Sequence, residues 1–242
     1  MRNNDTYYTL YEDRYRRLYG QGIEYWISNP EVNKRVISSI EKFLNYACCH
    51  PPTNPIIEFG CGEGYVANYL LECGFRYLGV DISESAILKA RERTGEKGQD
   101  AFLLADVTDL HQVSNGSFDA AVDNSCLQML VTDDHRVRYL TEVKRILKSN
   151  GKAYFRENIQ EEEFRQRISD FREFVETFNG DYTTLHDYPA FVDGKRHMIK
   201  LPRVPARFNS EQGYRRELEE AGFIVDYYSD DSWQCNIHAR VR

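Results

Sequence analysis

Between Ile56 and Leu71 the chain reads IIEFGCGEGYVANYLL: an apolar run carrying Glu58, three glycines at alternate positions, then a helical pattern. Few architectures accommodate that order. The run from Pro55 to Phe59 has the length and composition of a strand buried on both faces, and the helix after the glycines is expected over about Tyr65 to Glu72. Upstream, Val32, Val36, Ile37, Ile40, Phe43 and Leu44 form a helical stripe from Val32 to Leu44, which the prolines of HPPTNP end. Downstream, RYLGVDIS and AFLLADV read as second and third strands around the helix SESAILKARERTG, which opens on a serine N-cap and closes at glycine. SFDAAVDNS is a fourth strand, DDHRVRYLTEVKRIL an amphipathic helix and GKAYFREN a fifth strand. Regular alternation of strand and helix implies a parallel sheet covered on both faces, so the chain is expected to be α/β and doubly wound.

The tail departs from that rhythm. SEQGYRRELEEAGF is a helix, and FIVDYYSD and WQCNIHARVR are strands joined by a short polar turn, expected as an antiparallel hairpin at the sheet edge. About fifty residues separate the fifth strand from that helix, too many for a structureless loop, so an insertion is expected over 159–208. Its first half, EEEFRQRISDFREFVETF, reads as helical, and TLHDYPAFVDGKRHMIKLP as a hairpin turning at Asp193-Gly194. A length of 242 residues suits one domain over 1–242 with such an insertion.

Gly60, Gly62 and Gly64 fall where the first strand of an open parallel sheet passes into its first helix, the usual ligand crevice. Bare backbone there lets a ligand lie against peptide amides, although a tight connection alone also uses glycine. A dinucleotide loop has GxGxxG, whereas here Tyr65 follows Gly64 and the pattern is GxGxG. Glu58 and Glu63 flank the loop with negative charge, which repels pyrophosphate and suits an ammonium or sulfonium. Acids also end the next three strands: Asp81, placed to accept ribose hydroxyls; Asp106, placed to accept an adenine amino hydrogen beside the Val107 amide; and Asp123.

Taken together these segments closely resemble the class I S-adenosylmethionine-dependent methyltransferases. IIEFGCGEG is similar to their first motif, LGVDIS to the acidic second, LLADV to the third, FDAAVDNSCLQML to the fourth, and EVKRILKSNGKAYF to the helix and strand that follow, over about Val32 to Phe155. The resemblance implies a Rossmann-like seven-stranded sheet, mostly parallel, ending in the antiparallel hairpin. It implies S-adenosylmethionine as cofactor and S-adenosylhomocysteine as product. It assigns Glu58, Gly60, Gly62 and Gly64 to the methionine end, Asp81 and Ile82 to ribose and adenine, Asp106 and Val107 to adenine, and Asp123 to the crevice beside the sulfonium. Small-molecule members often begin with a Trp-Asp-x-Arg-Tyr-like segment that folds over the cofactor. YEDRYRRLYG is similar, with Tyr11 and Glu12 in place of the first two residues, which makes residues 1–30 an expected lid and Tyr15 and Trp26 cofactor contacts.

Methyl transfer needs alignment and exclusion of water more than a strong base. Where the acceptor must lose a proton, Glu157, His186, Asp187 and His197 are the candidates, the two histidines lying on opposite arms of the expected hairpin. Arg156 and Arg203, with Asn158, Lys200 and Arg207, are candidates for an acidic group on the acceptor, and Tyr11 and Tyr188, with Tyr7, Tyr8 and Tyr182, for stacking on it. A lid from the amino terminus together with an insertion after the fifth strand encloses the crevice, which favours a small-molecule acceptor. The alternatives are a protein or RNA methyltransferase and a non-catalytic cofactor-binding subunit; a nicotinamide-dependent enzyme is disfavoured by Tyr65 and the acidic loop. The net charge of −7 argues against a nucleic-acid partner. No metal is expected, because the six cysteines and the histidines lack zinc spacing. With neither a signal-peptide core nor a membrane-length apolar run, a cytoplasmic location is expected, with no membrane partner.

Overall fold

The computed structural model describes residues 7–27, 29–192 and 195–242. Helix α1 (Thr9–Gly20) is followed by α2 (Pro30–Ala47), whose start is capped by the Asn29 side chain accepting from the Glu31 amide at 3.0 Å. The α2 helix outruns the expected Val32 to Leu44 at both ends. Then come β1 (Ile56–Phe59), α3 (Tyr65–Glu72), β2 (Tyr77–Asp81), α4 (Glu84–Thr94), β3 (Phe102–Leu104), β4 (Phe118–Asn124), α5 (Asp133–Ile146) and β5 (Leu147–Asn158). The insertion contributes α6 (Phe171–Phe178) and the strands β6 (Leu185–Val192) and β7 (Lys195–Pro202). The chain returns to the main sheet through α7 (Glu211–Glu220), β8 (Phe223–Asp230) and β9 (Gln234–Val241).

The sheet has seven strands in the order β3-β2-β1-β4-β5-β9-β8, parallel from β3 to β5, with β9 antiparallel to both β5 and β8. The expected doubly wound sheet with its closing hairpin is present. Every side chain of β1 is buried, and successive residues serve opposite faces: Ile57 and Phe59 join Tyr139, Val143 and Tyr214 under α5 and α7, while Ile56 joins Val36, Phe43, Val66 and Ile87 under α2, α3 and α4. The strand order reverses direction at β1 and β4, so the crevice opens above their carboxyl ends.

One reading of the insertion is corrected. Residues 161–170 are irregular rather than helical, and the helix starts only after Asp170, which caps it by accepting from the Glu173 amide at 2.9 Å. The preceding backbone is claimed by the main domain instead. Asn209 takes the Phe164 amide at 2.9 Å, and Asp133 takes the Ile168 amide while returning its own amide to the Ile168 carbonyl. The hairpin is present as β6 and β7, its turn at Asp193-Gly194 lying outside the described residues. The hairpin packs on α1 through Ala190, Ile199 and Leu201 against Leu18 and Ile23, while α6 meets the other end of α1 through Phe174, Tyr7 and Tyr11. Among the described residues no helix is long and apolar enough to cross a membrane.

Arg136 fastens α5 beneath the crevice. Its guanidinium is buried, pairs bidentately with Glu217 of α7 at 2.5 and 2.7 Å, and donates to the carbonyls of Leu127 and Leu130. Arg136→Met is expected to lower unfolding free energy by about 3 to 5 kcal/mol, as for removal of one partner of a buried pair, measured by urea titration followed by circular dichroism.

Candidate functional site

Above the carboxyl ends of β1, β2 and β4 lies a cavity of about 460 Å³, roofed by α1, the segment around Trp26 and the β6–β7 hairpin. The loop after β1 forms its floor. Gly60 and Gly62 have φ of +66° and +52°, and a methyl group on either would meet Cys126 at 2.9 Å or the Tyr15 hydroxyl at 2.6 Å. Backbone conformation and space therefore both demand glycine at these two positions. Gly64 differs from its expected role: it lies outside the cavity lining and lets α3 pack on Ala90 of α4, where a Cβ would come within 2.9 Å.

Three buried carboxyls surround the loop. Glu58 accepts from the Tyr77 hydroxyl, and burial pushes its pKa up to about 8. Glu63 accepts from the Trp26 amide at 3.1 Å and is also raised by burial. Asp81 receives the Gly62 amide at 2.8 Å on one oxygen and the Ser83 amide at 2.9 Å on the other; burial raises its pKa and these amides oppose the shift. Each Asp81 oxygen keeps a lone pair for a further donor. Ile82, Asp106 and Val107 line the same wall, Asp106 being oriented by the Thr108 amide at 2.8 Å.

Asp123 is corrected. It is buried outside the cavity lining and accepts from the amides of Cys126 and Leu127 at 2.6 and 3.0 Å and from the Tyr139 hydroxyl at 2.7 Å, so it fixes the turn after β4. Glu157 is corrected with it: fully buried and also outside the lining, it faces Asp123, and burial together with that neighbour raises it far above the carboxylate range. Burial and the facing carboxyl act in the same direction on Glu157, toward its protonated form. A carboxyl so enclosed takes no proton from an acceptor in the cavity.

His186 and His197 are not brought together. On the hairpin His186 stands opposite Leu201 and His197 opposite Ala190, four positions away; His197 is exposed, and neither lines the cavity. The imidazole that does line it is His135, in the first turn of α5, with Nδ1 2.7 Å from the Tyr7 hydroxyl; both residues are buried. Sequence reading passed over His135 because a histidine on an amphipathic helix carries no spacing signal.

Of the proposed acceptor contacts, Tyr11, Tyr188 and Arg203 line the cavity, as do Tyr7 and Tyr8. Arg156 stands behind the wall, bonded to Asn124 and Gln234. Arg207 is bound to Asp133 at 2.5 Å, and Lys200 pairs with Asp187 on the surface at 3.1 Å. The segment YEDRY lies over the loop. Tyr15 and Trp26 pack with centroids 4.7 Å apart, and Glu12 accepts from the hydroxyls of Ser83 and Ser85, both at 2.6 Å. Arg14 of that segment was missed. It is buried on the cavity wall, 4.7 Å over the Trp26 ring and 4.9 Å over Tyr188, with Nη1 donating to the Pro202 carbonyl and Nε unpaired.

Comparison with known proteins places this geometry in context. Residues 57–155 match the sequence profile of the family described as "Methyltransferase domain". An uncharacterized methyltransferase of Schizosaccharomyces pombe is 25% identical over 227 residues, covering 90% of this chain and 78% of that protein. Another methyltransferase of the same yeast is 31% identical over 102 residues, covering 42% of this chain and 69% of its own length. Among solved structures, 1,6-didemethyltoxoflavin-N1-methyltransferase of Burkholderia thailandensis, with bound 1,6-didemethyltoxoflavin and S-adenosylhomocysteine, aligns over 100% of this chain and 91% of its own with a TM-score of 0.66 and 18% identity.

Burial of Glu58 makes stability depend on pH. Its folded pKa of about 8 lies above the ordinary 4.5, so between those values the folded state holds a proton that the unfolded state has lost. Its contribution is complete at acid pH and disappears as pH rises through 8. The ligand-free protein is expected to lose stability over this window, and Glu58→Gln to reduce the slope by up to about 1.4 kcal/mol per pH unit in urea titrations. Parallel slopes for the two proteins would show that Glu58 is ionised in the fold.

Proposed function

This chain belongs to the S-adenosylmethionine-dependent methyltransferases, and from that premise we propose that it methylates a nitrogen, oxygen or sulfur of a small-molecule metabolite held beneath α1 and the insertion. The roofed cavity is the observation that carries this reading: α1 and the hairpin close over the glycine loop, and aromatic rings wall the remaining space. The Burkholderia protein of similar fold is named for N1-methylation of the 1,6-didemethyltoxoflavin it holds. On this reading residues 1–30 and 159–208 are covers of a single domain, and the free cysteines agree with a cytoplasmic setting.

The residues present fit the cofactor. Gly60 and Gly62 line the cavity with bare backbone, and Glu58 and Glu63 are acids that would ionise against the cofactor's ammonium and sulfonium. Asp81 is assigned to the ribose hydroxyls, Ile82, Asp106 and Val107 to the adenine, Tyr15 and Trp26 to the cover, and Arg14 to the carboxylate. When bound, the cofactor supplies an activated methyl group. The chain then aligns the acceptor and keeps water out, with Tyr7, Tyr11 and Tyr188 forming apolar walls. His135, steadied by Tyr7, takes the role first given to His186 and His197: it receives the acceptor's proton where one must be lost.

Incubating the purified protein with S-adenosylmethionine and a metabolite extract, and reading products by mass, is expected to reveal a small molecule heavier by one methylene. Methylated protein or RNA in place of such a product, or cofactor binding with no product, would overturn the small-acceptor reading. Asp81→Ala is expected to weaken S-adenosylhomocysteine binding by about 1.5 to 3 kcal/mol in calorimetric titration, through loss of hydrogen bonds to a charged acceptor. Unchanged affinity in a folded variant would remove Asp81 from the ribose site.

A further inference from the structure

At the end of the cavity formed by β4, β5 and β9, four side-chain amides line the wall: Asn124, Gln128, Asn158 and Gln234. An amide has two chemically opposite ends, and the surroundings here leave no choice about which end faces where. Arg156, buried behind them, has donors and no acceptor, so the oxygens it contacts on Asn124 (3.3 Å) and Gln234 must be carbonyl oxygens. With its oxygen so held, Gln234 turns its amino group to the Asn158 oxygen at 3.0 Å. The Asn158 backbone amide, also an obligate donor, takes the Gln128 oxygen at 2.6 Å. Each of the four carbonyl oxygens is therefore turned to a donor of the protein. The amino groups of Asn124, Gln128 and Asn158 make no hydrogen bond to another described residue, and all three residues line the cavity.

We propose that this wall presents hydrogen-bond donors to the methyl acceptor, and that the acceptor turns carbonyl-type or anionic oxygens, or unprotonated ring nitrogens, toward the amino groups of Asn124, Gln128 and Asn158. Arg156 is the positioning residue: it touches no ligand, and its fork fixes the polarity of the row. A molecule presenting amino groups meets donor against donor and leaves buried polar groups unpaired on both sides, which is the strongest form of discrimination available to such a site. The assignment deepens the small-acceptor reading above and rests on it.

The test uses the intact chain saturated with S-adenosylhomocysteine and two neutral bicyclic probes of similar size, 1,3-dimethylquinazolinedione with two carbonyl oxygens and no N–H, and 1,3-diaminonaphthalene with two amino groups and no ring nitrogen, each titrated by calorimetry. The dione is expected to bind at least about tenfold more tightly. Asn158→Asp keeps the bond from Gln234 and replaces the free amino group by an acceptor. It is expected to cut that ratio by about tenfold or to invert it, and Asn124→Asp to act in the same direction. Arg156→Gln frees Asn124 and Gln234 to rotate and is expected to bring the two affinities together, whereas loss of a merely structural arginine weakens both alike. Equal affinities in the unsubstituted chain, binding of neither ring, or a ratio unmoved by Asn158→Asp and Asn124→Asp would overturn the assignment. Titration of S-adenosylhomocysteine alone comes first. Failure there overturns the underlying methyltransferase site, while normal binding with no preference between the rings overturns only the donor wall.

Discussion

The carboxylate of Asp81 holds the site together. One oxygen takes the Gly62 amide and so fixes the loop after β1 against the end of β2; the other takes the Ser83 amide and fixes the turn into α4. Ser83 and Ser85 in turn donate their hydroxyls to Glu12, which brings α1 down over the loop. Floor, side and roof of the cavity thus meet at one buried acid. The Tyr15 hydroxyl can sit over Gly62 only because that position has no side chain and α1 is held at this height.

Burial of so many acids at one sheet edge costs stability unless each is compensated. Asp81 and Asp123 are compensated by backbone amides, and Glu157 remains neutral against Asp123. At Glu58 only the Tyr77 hydroxyl opposes burial, and neighbouring acids add to it, while Glu63 has the Trp26 amide and Arg93 working against its burial. A buried acid that is pushed toward its protonated form in the empty protein becomes a favourable anion once a cation lies over it. The electrostatic debt of the loop is therefore itself a description of the ligand: positive, and small enough to rest on backbone.

Much of this was legible in the sequence because it depends on local rules. Alternation of apolar runs and amphipathic helices gave the parallel sheet, and GxGxG with acids at the following strand ends gave the crevice. The errors share one physical origin. A strand end tells where a carboxyl lies along the sheet, while its direction depends on the backbone after it. Asp123 turns back to cap the next turn, and Glu157, at the end of the neighbouring strand, turns to meet it. Hairpin register likewise separates His186 from His197, and register is set by pairing that the sequence of one arm does not contain. Residues 161–170 have helix-compatible composition, yet their amides are taken by Asn209 and Asp133 from elsewhere in the chain.

On the proposed reading the cavity has a cofactor half and an acceptor half, and the two are specified in different ways. The cofactor half is built from backbone: glycine conformations, amides on Asp81 and Asp106, and a strand order that opens the crevice there. The acceptor half is built from side chains whose own orientation is imposed from behind, Tyr7 against His135 and the amide row against Arg156. Backbone geometry changes little when residues are exchanged, so the first half suits one invariant ligand. An arginine or a histidine changes the polarity of everything it orients, so exchange of a buried residue that touches no ligand is enough to redirect the second half. Acceptor choice in this chain is therefore encoded as much in the layer beneath the wall as in the wall itself.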